Sequence, residues 1–340
     1  MQSKINISNK NAFLNISLIL IFIIPLFMLS SCATIDGIKK DLSDLISGLP
    51  DEDFNPQDYE DLDSYEDDES DSIEYAILNG IESIKKASED ITPEMAYYIG
   101  RKVALSVTQN YKIYKSPKAT EYLNNICNTL AINSDYPYLY KGYFAAILDT
   151  DEINALATPG GHIFITRGLL QCTDSEDAIA AIIAHELSHI QLNHSIKAIR
   201  SSRITDATLK TAAAATTIAI EKSNISKVYK VSQEDIDSFT EVGDKIFGTL
   251  VDSGFSIMQE YSADKNALKL MKDAGYNPQA MDNMLKLLEK NIKKGQSGWS
   301  KTHPSPSSRR QNIHQDLKKY SSKKIPKARV KRFEEYKDTF

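Results

Sequence analysis

The chain has 340 residues, 41% hydrophobic and 25% charged, an ordinary globular composition with length for one large domain or two small ones. Its 40 Lys and Arg against 46 Asp and Glu give a net charge of −6, but the charge is unevenly placed. Residues 1–75 hold 4 Lys and Arg against 16 Asp and Glu, so residues 76–340 carry +6; this part lacks concentrated Arg/Lys–aromatic interleaving, which argues against nucleic acid as a partner.

The chain opens with MQSKINISNKNAFLNISLILIFIIPLFMLSSC, in which Lys4 and Lys10 precede an apolar run from Leu18 to Leu29 interrupted by Pro25. That run is shorter than the roughly 20 apolar residues of a membrane span. It ends in Leu29-Ser30-Ser31-Cys32, which resembles a bacterial lipobox, so residues 1–31 read as a lipoprotein signal peptide and Cys32 as the lipidated residue. The protein is then exported and held at a membrane by its lipid. Ala33 after the Cys, where an Asp would retain it, points to the periplasmic face of the outer membrane. From Asp41 to Tyr75 there is no Lys or Arg and little aliphatic surface, so residues 32–77 read as a lipid-anchored, acidic, disordered linker.

A folded domain is expected over residues 78–320. Apolar spacing predicts helix over 78–110 with a fresh start at Thr92-Pro93, and a second helix over 117–132. The aromatic and β-branched stretch after it, with turns at Asp149-Thr150-Asp151 and Pro159-Gly160-Gly161, predicts strands at 138–148, 152–158 and 162–166. Thr173 and Glu176 have capping-box spacing and open a long helix through Ser201. An Ala/Thr-rich helix at 205–220, a polar stretch at 224–240 and helices at 252–274 and 277–294 follow. Residues 321–340 form a basic C-terminal tail, read as a solvated face. Cys127 and Cys172 could pair in an oxidising compartment or remain separate thiols.

The long helix carries AIIAHELSHIQLNH at 181–194. Residues four apart share a helix face about 6 Å apart, so His185 and His189 can direct imidazole nitrogens at one zinc ion. Glu186, one position on, can take a proton from a metal-bound water. A continuous helix turns His194 about 180° from His185, away from that ion, and makes it a packing or hydrogen-bonding residue. The third ligand must come from elsewhere. The best candidate is Glu260 in FSIMQEYSADKNALKLM, with Asp264 one turn later to accept a hydrogen bond from a ligating His.

In order along the chain, NALATPGGHIFITRGLL, HELSH with His194, EYSAD and THPSPSSRR resemble the HtpX-like and CAAX-prenyl-protease-like zinc metallopeptidases, gluzincins by ligand set. The resemblance covers roughly residues 90 to 315 and is closest to a periplasmic lipoprotein branch. It implies an α+β, mostly α, zincin-like domain with a small β-sheet whose edge strand faces the active-site helix. It implies one Zn2+ per chain on His185, His189 and Glu260, with Glu186 as general base. It places Asp264 and Arg309 behind the ligands, Asp264 orienting His185, and puts Asn154 and Ala155 on the edge strand that pairs with an extended peptide. His303 it places near the active site, either stabilising the oxyanion or plugging the metal's open position. The expected function is zinc-dependent hydrolysis of misfolded or misassembled envelope proteins, with unfolded or extended polypeptides as substrates and possible envelope assembly or quality-control partners. The alternatives are a chaperone-like or assembly-factor lipoprotein whose site is largely closed by His303, and a cell-wall peptide hydrolase.

Overall fold

The computed structural model describes residues 73–222, 254–292, 298–322 and 324–340. The signal peptide, Cys32, the acidic linker to residue 72 and the polar stretch at 224–240 lie outside the described residues. The chain divides into two units, one of residues 90–199 with 233–340 and the other of residues 1–89 with 200–232. In the latter, helix α1 (Ile73–Ala87) is described, and Arg200 donates to the Ser88 carbonyl.

The former unit holds every candidate site residue described. Its first helices are α2 (Pro93–Asn110) and α3 (Pro117–Ile132). Thr92 and Ser116 cap them through Met95 and Ala119 N–H, and Pro supplies the first turn, where its missing N–H costs nothing. Three strands follow: β1 (Phe144–Leu148), β2 (Ala155–Ala157) and β3 (His162–Thr166). They form one sheet in the order β1-β3-β2, with β1 parallel and β2 antiparallel to β3. The expected first strand is shortened because Lys141 and Gly142 both take positive φ, 65° and 85°, and break the extended chain. The predicted Pro159 turn closes the β2–β3 hairpin on Gly160 and Gly161, at φ 79° and 105°.

The short helix α4 (Arg167–Gln171) leads to α5 (Glu176–Gln191), which carries HELSH. Ser175, rather than Thr173, caps α5; the Thr173 hydroxyl donates back to the Leu170 carbonyl. Every residue of α5 is buried, as its uninterrupted Ala/Ile run requires. It packs against α3, β2, α7 (Ile257–Asp273) and α8 (Gln279–Asn291). The long helix expected to run through Ser201 instead ends at Gln191, and α6 (His194–Lys222) restarts and continues unbroken through the segment read as a separate Ala/Thr helix. The break lies at Asn193, whose φ of 56° is left-handed, a conformation Asn adopts more readily than most residues.

The turn α9 (Trp299–Thr302) and helix α10 (Pro306–Leu317) complete the surroundings of the site. The basic end is only in part a solvated face: most of its described residues are exposed, but two aromatic rings and two arginines are not spent on solvent. Helix α11 (Lys327–Tyr336) puts Phe333 into the main core, and Phe340 joins it. Arg329 and Arg332 pair with Asp177 and Glu176 in the first turn of α5. Those carboxylates are 0% and 1% exposed, so burying them depends on the partners that the tail supplies. Cys127 is a core residue of α3 and Cys172 follows α4; both are free thiols. Among the described residues, no helix is long and apolar enough to cross a membrane.

Candidate metal centre

Helix α5 packs against the buried face of α7, which turns His185, His189, Glu260 and Asp264 towards one another. A capping box at Ser256 and Gln259 starts α7 one residue before Ile257, which places Glu260 in its first turn. His185 Nε2 and His189 Nε2 are 3.1 Å apart, and Glu260 lies 3.5 Å from the first and 3.4 Å from the second. His303, the residue ending α9, brings Nδ1 to 2.9 Å from Glu260 Oε2. One donor atom from each of these four residues lies within 4.8 Å of the others.

Charged and aromatic groups back this cluster. His185 Nδ1 lies 3.0 Å from Asp264 Oδ1, and Arg309 Nε donates to Asp264 Oδ2 at 2.9 Å. Arg309, from α10, is fully buried, and its guanidinium stands 5.2 Å from the centre of the Trp299 ring. It therefore neutralises Asp264 and locks it against His185. His189 stacks on Phe255 with ring centroids 4.2 Å apart.

Electrostatics separate the roles. Burial raises the Glu186 carboxyl above the ordinary carboxylate range. Burial, reinforced by the neighbouring His185, pushes His189 well below its usual value and favours a neutral imidazole. Glu260 is opposed by burial, but His303 and His185 beside it hold its carboxyl far below the usual range. His185 is also opposed by burial and by Arg309, yet the Asp264 and Glu260 carboxylates raise it to about 9. The site thus attracts positive charge at the point where the imidazoles and Glu260 meet. Glu186 Oε1, Glu260 Oε1 and His303 Nε2 are buried with no hydrogen-bond partner. Buried polar atoms are seldom left so. Two imidazoles, a carboxylate and unsatisfied lone pairs in one buried cluster fit a divalent metal of the zinc type.

His185, His189, Glu260 and His303 are thus brought together, with Asp264 and Arg309 directly behind His185. Asn154 precedes β2 and turns its carbonyl to Thr166 of β3, while Ala155 is the first residue of that edge strand. The register leaves the N–H and C=O groups of Ala155 and Ala157 directed away from β3. Thr302 Oγ1 lies 3.5 Å from Asn154 Oδ1, and the Trp299 N–H donates to the Ile153 carbonyl, so α9 sits against the start of that edge. His194 is the hydrogen-bonding residue expected, outside the donor cluster, but it does not face away: the break at Asn193 turns it back until its Nδ1 is 3.0 Å from His189 Nδ1. Burial and the nearby Lys197 hold it down to about 4, so it is neutral. Phe255 and Trp299 escaped the sequence reading. The only signal for Trp299 was that it is the single Trp of the chain.

An HELSH helix, buried throughout, is thus joined by a buried glutamate from the first turn of α7. Residues 117–316 match Peptidase family M48, and the chain belongs to that family, whose members are metal-dependent. It is 31% identical over 203 residues to Metalloprotease LoiP of Escherichia coli, covering 58% of this chain and 71% of that protein. It is 25% identical over 201 residues to the beta-barrel assembly-enhancing protease of Yersinia pestis, covering 57% of this chain but only 38% of that protein. The mitochondrial metalloendopeptidase OMA1 of Schizosaccharomyces pombe is 29% identical over 183 residues, covering 53% of this chain and 45% of that one. The chain thus matches less than half the length of two of these three relatives, and its class is that of the M48 peptidases.

Proposed function

We propose that the chain is a zinc-dependent endopeptidase of the cell envelope that cleaves misfolded or misassembled proteins, exported and anchored by a lipid on Cys32 at the periplasmic face of the outer membrane. The observation that carries the activity is the convergence of His185, His189 and Glu260 beside the buried carboxylate of Glu186. The envelope setting is supported by the lipobox-like start and by the name of the beta-barrel assembly-enhancing relative.

His185, His189 and Glu260 would hold the zinc. When bound, zinc supplies a Lewis acid that acidifies water and polarises a carbonyl. Glu186 is the general base, and its raised pKa suits a group that takes a proton from water and then delivers it to the leaving amine nitrogen. Asp264, backed by Arg309, keeps His185 in one tautomer. The outward N–H and C=O groups of Ala155 and Ala157 are those that an extended polypeptide would pair with. Hydrolysis of an unfolded protein should stop on chelation and return on adding zinc alone; hydrolysis that survives metal removal would exclude this function.

A second reading has an observation of its own. His303 lies among the ligand atoms, 2.9 Å from Glu260, so it can complete the donor set and keep resting activity low, as in a chaperone-like lipoprotein with a closed site. His303→Ala should then raise proteolysis several-fold in a continuous peptide assay. A fall would instead give His303 a part in the reaction.

A further inference from the structure

The break in HELSHIQLNH has a chemical consequence. Because Asn193 reverses the chain, His194 starts α6 with its ring beside His189, centroids 4.9 Å apart and planes at 76°. His194 is 3% exposed. Its Nδ1 lies 3.0 Å from His189 Nδ1, and its Nε2 lies 3.1 Å from Ser262 Oγ of α7. The Ser262 hydroxyl donates to the Gln259 carbonyl at 2.8 Å, and Gln259 Nε2 donates to the His194 carbonyl at 3.4 Å.

Protons can be placed along this chain of contacts in one consistent way. His189 directs Nε2 at Glu260 and His185, so its lone pair on that side requires the proton on Nδ1. Nδ1–H then donates to His194 Nδ1. His194 must carry its own proton on Nε2, where it meets the Ser262 oxygen. The Ser262 proton is already committed to the Gln259 carbonyl. Each donor meets one acceptor, and the chain ends on backbone.

We propose that His194 is a positioning residue that holds His189 in its Nδ1–H tautomer and fixes its ring orientation, tying α5 to the helix that carries Glu260. The two imidazoles of the cluster are then held differently: His185 by the charged Asp264–Arg309 pair, and His189 by a neutral histidine and a serine. A neutral acceptor raises the basicity of a ligating imidazole less than a carboxylate does. His189 is thereby made the weaker donor of the pair, without placing a further charge in the buried site. The inference rests on reading His189 as a metal ligand.

The test is zinc affinity, measured by competition with a chromophoric chelator on the purified protein, with denaturation of the metal-free protein as the measure of fold. His194→Phe keeps the ring volume and removes the acceptor; it should weaken zinc binding about 10- to 100-fold, the usual effect of losing a group behind a ligand. His194→Asn, whose Oδ1 can stand where His194 Nδ1 does and accept from His189, should recover part of the affinity although it does not reach Ser262. Ser262→Ala, on the exposed side of α7, should give a smaller but measurable loss. If His194→Phe does not fold, the serine variant decides alone. Unchanged affinity in Ser262→Ala and in a folded His194→Phe overturns the proposal, provided that His189→Ala has lost the metal. If His189→Ala also keeps its zinc, the ligand reading itself fails.

Discussion

Glu186→Gln should lower kcat on an unfolded protein substrate by roughly 10²- to 10⁴-fold, the range for a positioned acid–base group. The substitution is nearly isosteric, which matters in a helix buried along its whole length. It removes the ability to take a proton while leaving His185, His189 and Glu260 untouched. Glu186 Oε1 already lacks a hydrogen-bond partner, so the amide strands no group that the carboxylate had satisfied. Zinc content and thermal stability should therefore stay close to wild type. A folded, zinc-loaded Gln variant that cleaves at the wild-type rate would remove Glu186 from the mechanism.

Glu260→Ala should have its largest effect one step earlier, on metal retention. Glu260 contributes the only carboxylate of the four-residue cluster and lies within 3.5 Å of both histidines of α5. Losing a ligand should cost more than the loss of a group behind one, so zinc affinity should fall by more than about 100-fold. Glu260→Gln preserves volume and hydrogen bonding to His303 but not the charge. It should fall between wild type and alanine in equilibrium dialysis, which separates lost charge from a packing defect. Wild-type zinc content in the alanine variant would exclude Glu260 as a ligand.

Much of this site was legible because its parts obey local rules. His185 and His189 share a face by helix period alone, and Glu260 and Asp264 do so for the same reason. The all-apolar turns before His185 announced a helix buried on every side. What failed was what those local rules do not govern. Helix period projected through residue 194 turned His194 away, whereas one left-handed Asn reversed the direction. The basic end looked solvated because its apolar residues are sparse, yet Phe333 and Phe340 reach the core and its arginines neutralise buried carboxylates 152 and 156 residues away. The two cysteines posed a question of pairing that only their placement could answer.

The sequence by itself determined the chemistry on offer, because periodicity places side chains on a common face of one helix and composition decides which helix is buried. Only the tertiary structure decided how those faces meet. It set Glu260 against both imidazoles, put His303 among the donors, and returned His194 to the back of His189. These are contacts between segments tens of residues apart, set by packing and by the direction of a single helix break, and no local spacing encodes either.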